Sequence, residues 1–348
     1  MSDKELGIGL VGTGTISAFH AHAIAATPGA RLVAATSRRE KPGREFTDEF
    51  GCDYVPSLDE LLARPDVDVV AITTPSGNHA EAAIAAAKAG KHVFCEKPLD
   101  VTVEKIDSMI EACDQAGVQL GAVFQSRIGD SGKTLKEAVD SGRFGKLSQC
   151  SAFIPWFRDE KYYSDVAWRG TWELDGGGAL MNQGIHAVDM LLWIAGDVAE
   201  VSAKCQTRLH DIEVEDNAVA WLRFTNGAIG VIQASTCSYP GQPRRIEIMG
   251  EKGTVILEDD LFKTWSFADE QPGDAEKLNP PQLSGIGGGA SDPRAIGTEG
   301  HRRLYVDFVD SIRENRPSLI TGAEARRAVE LIRAIYQSSR EGRTISLR

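Results

Sequence analysis

The chain has 348 residues, more than one hydrophobic core usually holds, and an ordinary composition of 42% hydrophobic and 25% charged residues, so two globular domains are expected. A formal net charge of −12 argues against sequence-independent binding to nucleic-acid phosphates or anionic membranes, both of which need clustered lysine and arginine. The six cysteines are scattered without zinc-ligand spacing, the start is polar and no apolar run approaches spanning length, so the expectation is no metal, no membrane span and a reducing, cytoplasmic location.

Residues 6–11 read as an apolar strand, followed by Gly12-Thr13-Gly14-Thr15-Ile16-Ser17 and a helical pattern through residue 26. In that strand–turn–helix context Gly12 permits a tight turn, and Gly14 lets the helix amino terminus at Thr15 and Ile16 approach a pyrophosphate. Ser17 stands where a third small residue packs helix on strand. Residues 31–36 read as a second strand, and Ser37-Arg38-Arg39 follows where an acid would take the ribose hydroxyls of NAD. A serine hydroxyl beside guanidinium groups suits a 2′-phosphate, which favours NADP, with NAD as the alternative and a solvated basic turn as the bland reading.

A helix near 44–50, a strand at 53–55, a helix at 57–63 and an apolar strand at 67–72 continue the alternation expected of a parallel sheet covered on both faces. The loop after that strand holds Thr74, Pro75 and His79 and opens an alanine-rich helix. Val93-Phe94-Cys95 then reads as a buried strand ending in Glu96-Lys97-Pro98, where the proline stops the ladder and holds Lys97 extended. A helix at 103–116 and a strand at 119–124 complete this half, with Gln125 and Arg127 just past the strand. The expected domains are a dinucleotide-binding unit, 1–125, and a substrate-binding and oligomerisation unit, 126–348.

Residues 129–144 have helical spacing, and 146–154 start a second sheet. Between 155 and 175 lie Trp156, Tyr162, Tyr163, Trp168 and Trp172 with Arg169, which suit the apolar face of a sugar, or equally a packed loop at a domain interface. Gly176-Gly177-Gly178 precedes a helix expected over 179–195, on which Asn182, His186 and Asp189 at i, i+4 and i+7 share one face. Strands at 200–209, 215–224, 228–238, 244–250 and 253–258 predict an antiparallel sheet whose open face a partner subunit would cover, giving a homodimer or homotetramer. The Gly- and Pro-rich stretch 268–300, with Gly285-Ile286-Gly287-Gly288-Gly289, reads as a mobile flap, followed by helices at 301–315 and 322–339 and a last strand at 344–347.

The glycine turn, the Thr-Pro loop ending in His79, Glu96-Lys97-Pro98, and Gly176-Gly177-Gly178 through His186 and Asp189 together resemble the Gfo/Idh/MocA oxidoreductase family over essentially the whole chain. The resemblance implies an α/β fold: a Rossmann doubly wound parallel sheet, then an α/β domain with a large open, mostly antiparallel sheet. It implies sugar, inositol or polyol substrates. Cofactor contacts fall to Gly12, Gly14, Thr15, Ile16, Ser37, Arg38, Thr74, Pro75, His79, Glu96, Gln125 and Arg169, and substrate contacts to Lys97, Arg127, Trp168, Arg169, Asn182 and His186. Lys97 and His186 are the implied catalytic pair, the lysine bonding the reacting oxygen and the histidine moving the hydroxyl proton. Asn182 departs from the aspartate that many relatives carry; an amide can hydrogen-bond an imidazole but cannot stabilise an imidazolium as a carboxylate does. The expected activity is NADP-dependent oxidation or reduction of a secondary alcohol. The alternatives are redox-neutral epimerisation or glycoside cleavage with retained NAD(P), and a non-catalytic dinucleotide-sensing regulator.

Overall fold

The computed structural model describes residues 5–278, 290 and 297–347, so the glycine-rich flap expected within 268–300 lies largely outside the described residues. The chain divides into two compact units, one made of Met1–Gln125 and Thr298–Arg326, the other of Ser126–Gly297 and Arg327–Arg348.

In the first unit, strands β1 (Leu6–Val11), β2 (Ala30–Thr36), β3 (Asp53–Val55), β4 (Val69–Ile72), β5 (His92–Cys95) and β6 (Leu120–Ala122) form one sheet in the order β3-β2-β1-β4-β5-β6. Every pairing is parallel. Val69, Val70, Ala71 and Ile72 are all fully buried, which happens to consecutive strand residues only when both sheet faces are covered. The order reverses between β1 and β4, opening a crevice beyond their carboxyl ends.

The second domain is not the unbroken 126–348 expected from sequence. The helix Glu299–Glu314 joins the first unit, where Tyr305 and Phe308 pack on Phe94 with ring centroids 4.5 and 5.1 Å apart. Gly121 makes room for it, since a Cβ there would lie 2.6 Å from the Phe308 ring.

The second unit holds β7 (Leu147–Pro155), β8 (Val198–Gln206), β9 (Asn217–Phe224), β10 (Ile229–Ser235), β11 (Arg245–Gly250), β12 (Gly253–Glu258), β13 (Leu261–Phe267) and β14 (Ile345–Ser346), ordered β13-β12-β11-β7-β10-β9-β8-β14. The sheet is mixed, because β7 and β10 run parallel while the other pairs are antiparallel. Along β9, Ala218, Ala220, Leu222 and Phe224 are buried, whereas Val219 and Trp221 face out. Among the described residues no helix is long and apolar enough to cross a membrane.

Candidate active site

At the carboxyl edge of the parallel sheet, Gly12 has φ +100, and a Cβ on it would press on the Thr73 carbonyl oxygen at 3.0 Å, so only glycine makes this turn without strain. Gly14 caps the helix Thr15–Ala25 with open space where a side chain would stand, and the first turn carries no acid. Ser17, at the third small position, is fully buried and shares a 2.9 Å hydrogen bond with the Thr73 hydroxyl, tying the helix to the β4 loop.

Two buried polar atoms on this edge, Thr74 Oγ1 and Gln125 Oε1, have no hydrogen-bond partner among the described residues. A dinucleotide fits this arrangement. Its pyrophosphate would take the bare helix terminus beside Gly14, Thr15 and Ile16, and its polar groups would partner the orphaned atoms. Ser37 is half-buried and Arg38 exposed just past β2.

Two expected cofactor contacts are otherwise engaged. His79 is buried, its ring nitrogens 2.8 Å from the Pro98 and Thr74 carbonyl oxygens, so the imidazole ties two loops together instead of offering an edge to a ligand. Glu96 is buried as well, with Oε1 accepting from His20 and His301 and Oε2 accepting the Lys97 backbone N–H at 3.0 Å. Burial alone would raise its pKa, but the two imidazole bonds override that and hold the carboxyl well below its ordinary value. Within residues 93–101, Lys97 is the residue that keeps solvent access.

In the second unit, Ala179–Gly184 form a π-helical turn before the α-helix Ile185–Ala195. The bond from Gln183 N to Gly178 O, five residues back, widens the turn, so the facing expected at 3.6 residues per turn does not carry across it. Within residues 179–192 only Asn182 and His186 retain solvent access. Asp189 instead turns inward, where its carboxylate accepts a two-pronged pair of bonds from Arg127 at 2.8 and 2.6 Å. Both partners are buried, so Arg127 is a structural cation and not the substrate contact expected from its place after β6.

Asn182 Nδ2 donates to Asp175 Oδ1, and its Oδ1 accepts from Gln183 Nε2 at 2.9 Å. Gln183 in turn donates to the Tyr162 hydroxyl and accepts from buried Arg158. Turning the amide over would set its oxygen against a carboxylate and its NH2 against another NH2, so the network fixes its orientation. Asp175 also explains the amide, because a carboxylate at position 182 would face a second carboxylate. Arg169 lies over the Tyr162 ring at 4.2 Å and donates to the Tyr162 carbonyl, while Trp168 stays half-buried beside it.

Local spacing does not point to Asp175, Arg158 or Gln183. The only sequence signals were an acid abutting the glycine run and an arginine among aromatics. Nor does it point to Glu215, buried and accepting from Gly178 N, Leu180 N and the Tyr336 hydroxyl, which pins the start of the π-helical turn.

The chain is similar to known proteins in both of its units. Residues 6–124 match an oxidoreductase family's NAD-binding Rossmann fold, and residues 133–256 match the GFO/IDH/MocA C-terminal domain. The chain is 31% identical to the myo-inositol 2-dehydrogenase of Thermotoga maritima, covering 98% of each. It is 28% identical to the NADP(+) scyllo-inositol 2-dehydrogenase of Bacillus subtilis, over 90% of this chain and 87% of that one. The WlbA dehydrogenase of Bordetella pertussis, solved in complex with NADH and UDP-GlcNAcA, superposes with a TM-score of 0.89 at 34% identity, covering 99% of both chains.

Proposed function

The chain belongs to the GFO/IDH/MocA oxidoreductase family, and from that premise we propose that it interconverts a secondary alcohol and a ketone on a cyclic sugar, sugar derivative or polyol with NADP(H) as the preferred dinucleotide. It is an NAD(P)-dependent oxidoreductase acting on CH–OH groups of sugars or polyols. One observation carries the assignment of residues: in each unit a buried stretch of the motif leaves accessible the side chains able to handle a proton or a developing charge, Lys97 in one and His186 with Asn182 in the other.

When bound, the nicotinamide supplies the acceptor or donor of the hydride. Lys97 would hydrogen-bond the reacting oxygen and stabilise its developing negative charge. His186 would remove or return the hydroxyl proton. Asn182, its amide locked by Asp175 and Gln183, would orient the substrate hydroxyl or the imidazole. Trp168 and Arg169 would flank the sugar. The preference for NADP rests on Ser37 and Arg38 standing where an acid would serve NAD.

Homo-oligomerisation through the outer face of the mixed sheet is part of the same proposal. Val219, Trp221 and Ile229 remain 53%, 40% and 42% exposed on neighbouring strands there. All six cysteines are unpaired, which agrees with a cytoplasmic location.

The test is nicotinamide absorbance after mixing the purified protein with NADP, or with NAD, across myo-inositol, scyllo-inositol, free hexoses and UDP-GlcNAcA. A rise with one compound class, larger with NADP, is expected. No rise anywhere, and no product by mass spectrometry, would overturn the reading.

A further inference from the structure

Behind the Glu96-Lys97-Pro98 turn lies a buried polar cluster drawn from three distant chain segments: His20 on the first helix, Glu96 at the end of β5, and His301 with Tyr305 on the returning helix Glu299–Glu314. His20 Nε2 and His301 Nε2 stand 2.9 and 3.2 Å from the same oxygen, Glu96 Oε1. The Tyr305 hydroxyl is 2.7 Å from His20 Nδ1. The cluster lies wholly within the first unit.

The proton positions follow from chemistry. A carboxylate only accepts, so both imidazoles carry their proton on Nε2. His20 Nδ1 is then an acceptor, and Tyr305 donates to it. Burial raises the Tyr305 pKa well above its ordinary value, which keeps that proton in place, and burial lowers the His20 pKa despite the neighbouring carboxylate, which keeps the ring neutral. The same three side chains bring two imidazole nitrogens and a carboxylate oxygen within 4.8 Å, a donor set of metal-binding type. The tyrosine's donation counts against that use, because it leaves the proton of His20 on Nε2, the nitrogen that faces Glu96.

With Oε1 held by two donors, the remaining oxygen has one acceptor task. Glu96 Oε2 takes the Lys97 backbone N–H at 3.0 Å. We propose that Glu96, gripped by His20 and His301, is a positioning residue that fixes the Lys97 backbone and so the point from which the lysine side chain departs. This rests on the reading of Lys97 as the group that meets the reacting oxygen. Displacement of a catalytic group by about 1 Å costs on the order of a hundredfold in rate, so holding one main-chain amide this firmly has a catalytic consequence.

Glu96→Gln separates the two halves of the cluster. The amide oxygen can still accept from both histidines, while the introduced NH2 meets the Lys97 N–H donor against donor. His301→Phe is the second variant; it removes one grip on Oε1 and keeps an aromatic ring beside Phe19.

Each full-length variant is compared with wild type and with Lys97→Met, using the panel compound turned over fastest, alongside two-dimensional NMR of protein labelled with 15N-lysine. Expected for Glu96→Gln is a displaced Lys97 amide resonance and a fall in kcat of about ten- to a hundredfold, with KM and NADP affinity changed less than about twofold. His301→Phe should give the same pattern at smaller amplitude.

An unmoved Lys97 amide, or an unchanged kcat in Glu96→Gln where Lys97→Met abolishes turnover, overturns the positioning role while leaving Lys97 as assigned. Full turnover in Lys97→Met removes the reading beneath it. One equivalent of a divalent metal in the purified protein, lost in His301→Phe, would replace the hydrogen-bond cluster with a metal centre.

Discussion

Arg38 stands exposed just beyond β2, so its guanidinium is accessible to a ligand at that edge. If it pairs with a 2′-phosphate, Arg38→Ala should weaken NADP binding by about ten- to a hundredfold, the worth of one charge-assisted bond, and leave NAD within about twofold. Calorimetric titration with both dinucleotides measures this, and an equal loss for both would assign the arginine to something other than the phosphate. Glu215 gives a pH test. Burial pushes its carboxyl up to about 6, against the hydrogen bonds from Gly178, Leu180 and Tyr336. The folded chain therefore binds this proton more tightly than the unfolded chain does. Its contribution is fully present below about 4.5 and is lost as pH rises through about 6, a change on the order of 2 kcal/mol. Glu215→Gln should remove that step, so the difference between wild-type and variant denaturation free energies should change across pH 4.5 to 7 and be flat above. At this scale the sequence was legible where residue type and neighbours suffice, as for the tight turn at Gly12 and the accessible place of Lys97 after a buried strand. His79 and Arg127 were misread because the partners that engage them, the Pro98 carbonyl and Asp189, are fixed by tertiary packing.

Repeating apolar runs made most elements readable, and the first-unit strands fall within a residue or two of their expected places. Two failures have physical causes. Strand β13, Leu-Phe-Lys-Thr-Trp-Ser-Phe, adjoins a loop-like composition that obscured its alternation. The π-helical turn looks like ordinary helix in sequence, because the Gly178 and Leu180 amides at its start are pinned by Glu215, a residue far along the chain. The glycines before that turn are correspondingly intolerant. Gly177 has φ +155, and a Cβ on it would lie 2.0 Å from the Tyr336 hydroxyl and 2.8 Å from Met181 Cβ. Gly177→Ala should cost about 2–4 kcal/mol and displace the start of the helix that carries His186. Gly142 also has positive φ but nothing within 4 Å, so Gly142→Ala should cost only about 1 kcal/mol. Urea denaturation of both variants checks the contrast, and equal losses would mean that backbone strain alone, not the Tyr336 contact, sets the cost.

For the molecule as a whole, the outer face of the mixed sheet bears the prediction. Trp221→Glu places a charge amid Val219, Ile229 and Val231 on a face that a monomer can leave in water but a tight interface cannot accept. Light scattering after gel filtration should show wild type as a dimer or tetramer and the variant shifted toward monomer; a monomeric wild type would remove the proposal. The two-unit plan was legible from length and from the change in strand pattern, but the return of Thr298–Arg326 was not, since an amphipathic helix does not announce which sheet it covers. That return has a consequence for biosynthesis. The ribosome releases all six strands of the parallel sheet early, yet Tyr305 and Phe308, which close over Phe94, follow only after β7 to β13. The dinucleotide-binding unit is therefore begun first and completed late: its nascent form waits with an aromatic face uncovered, and a fragment ending at Gln125 would keep that face exposed.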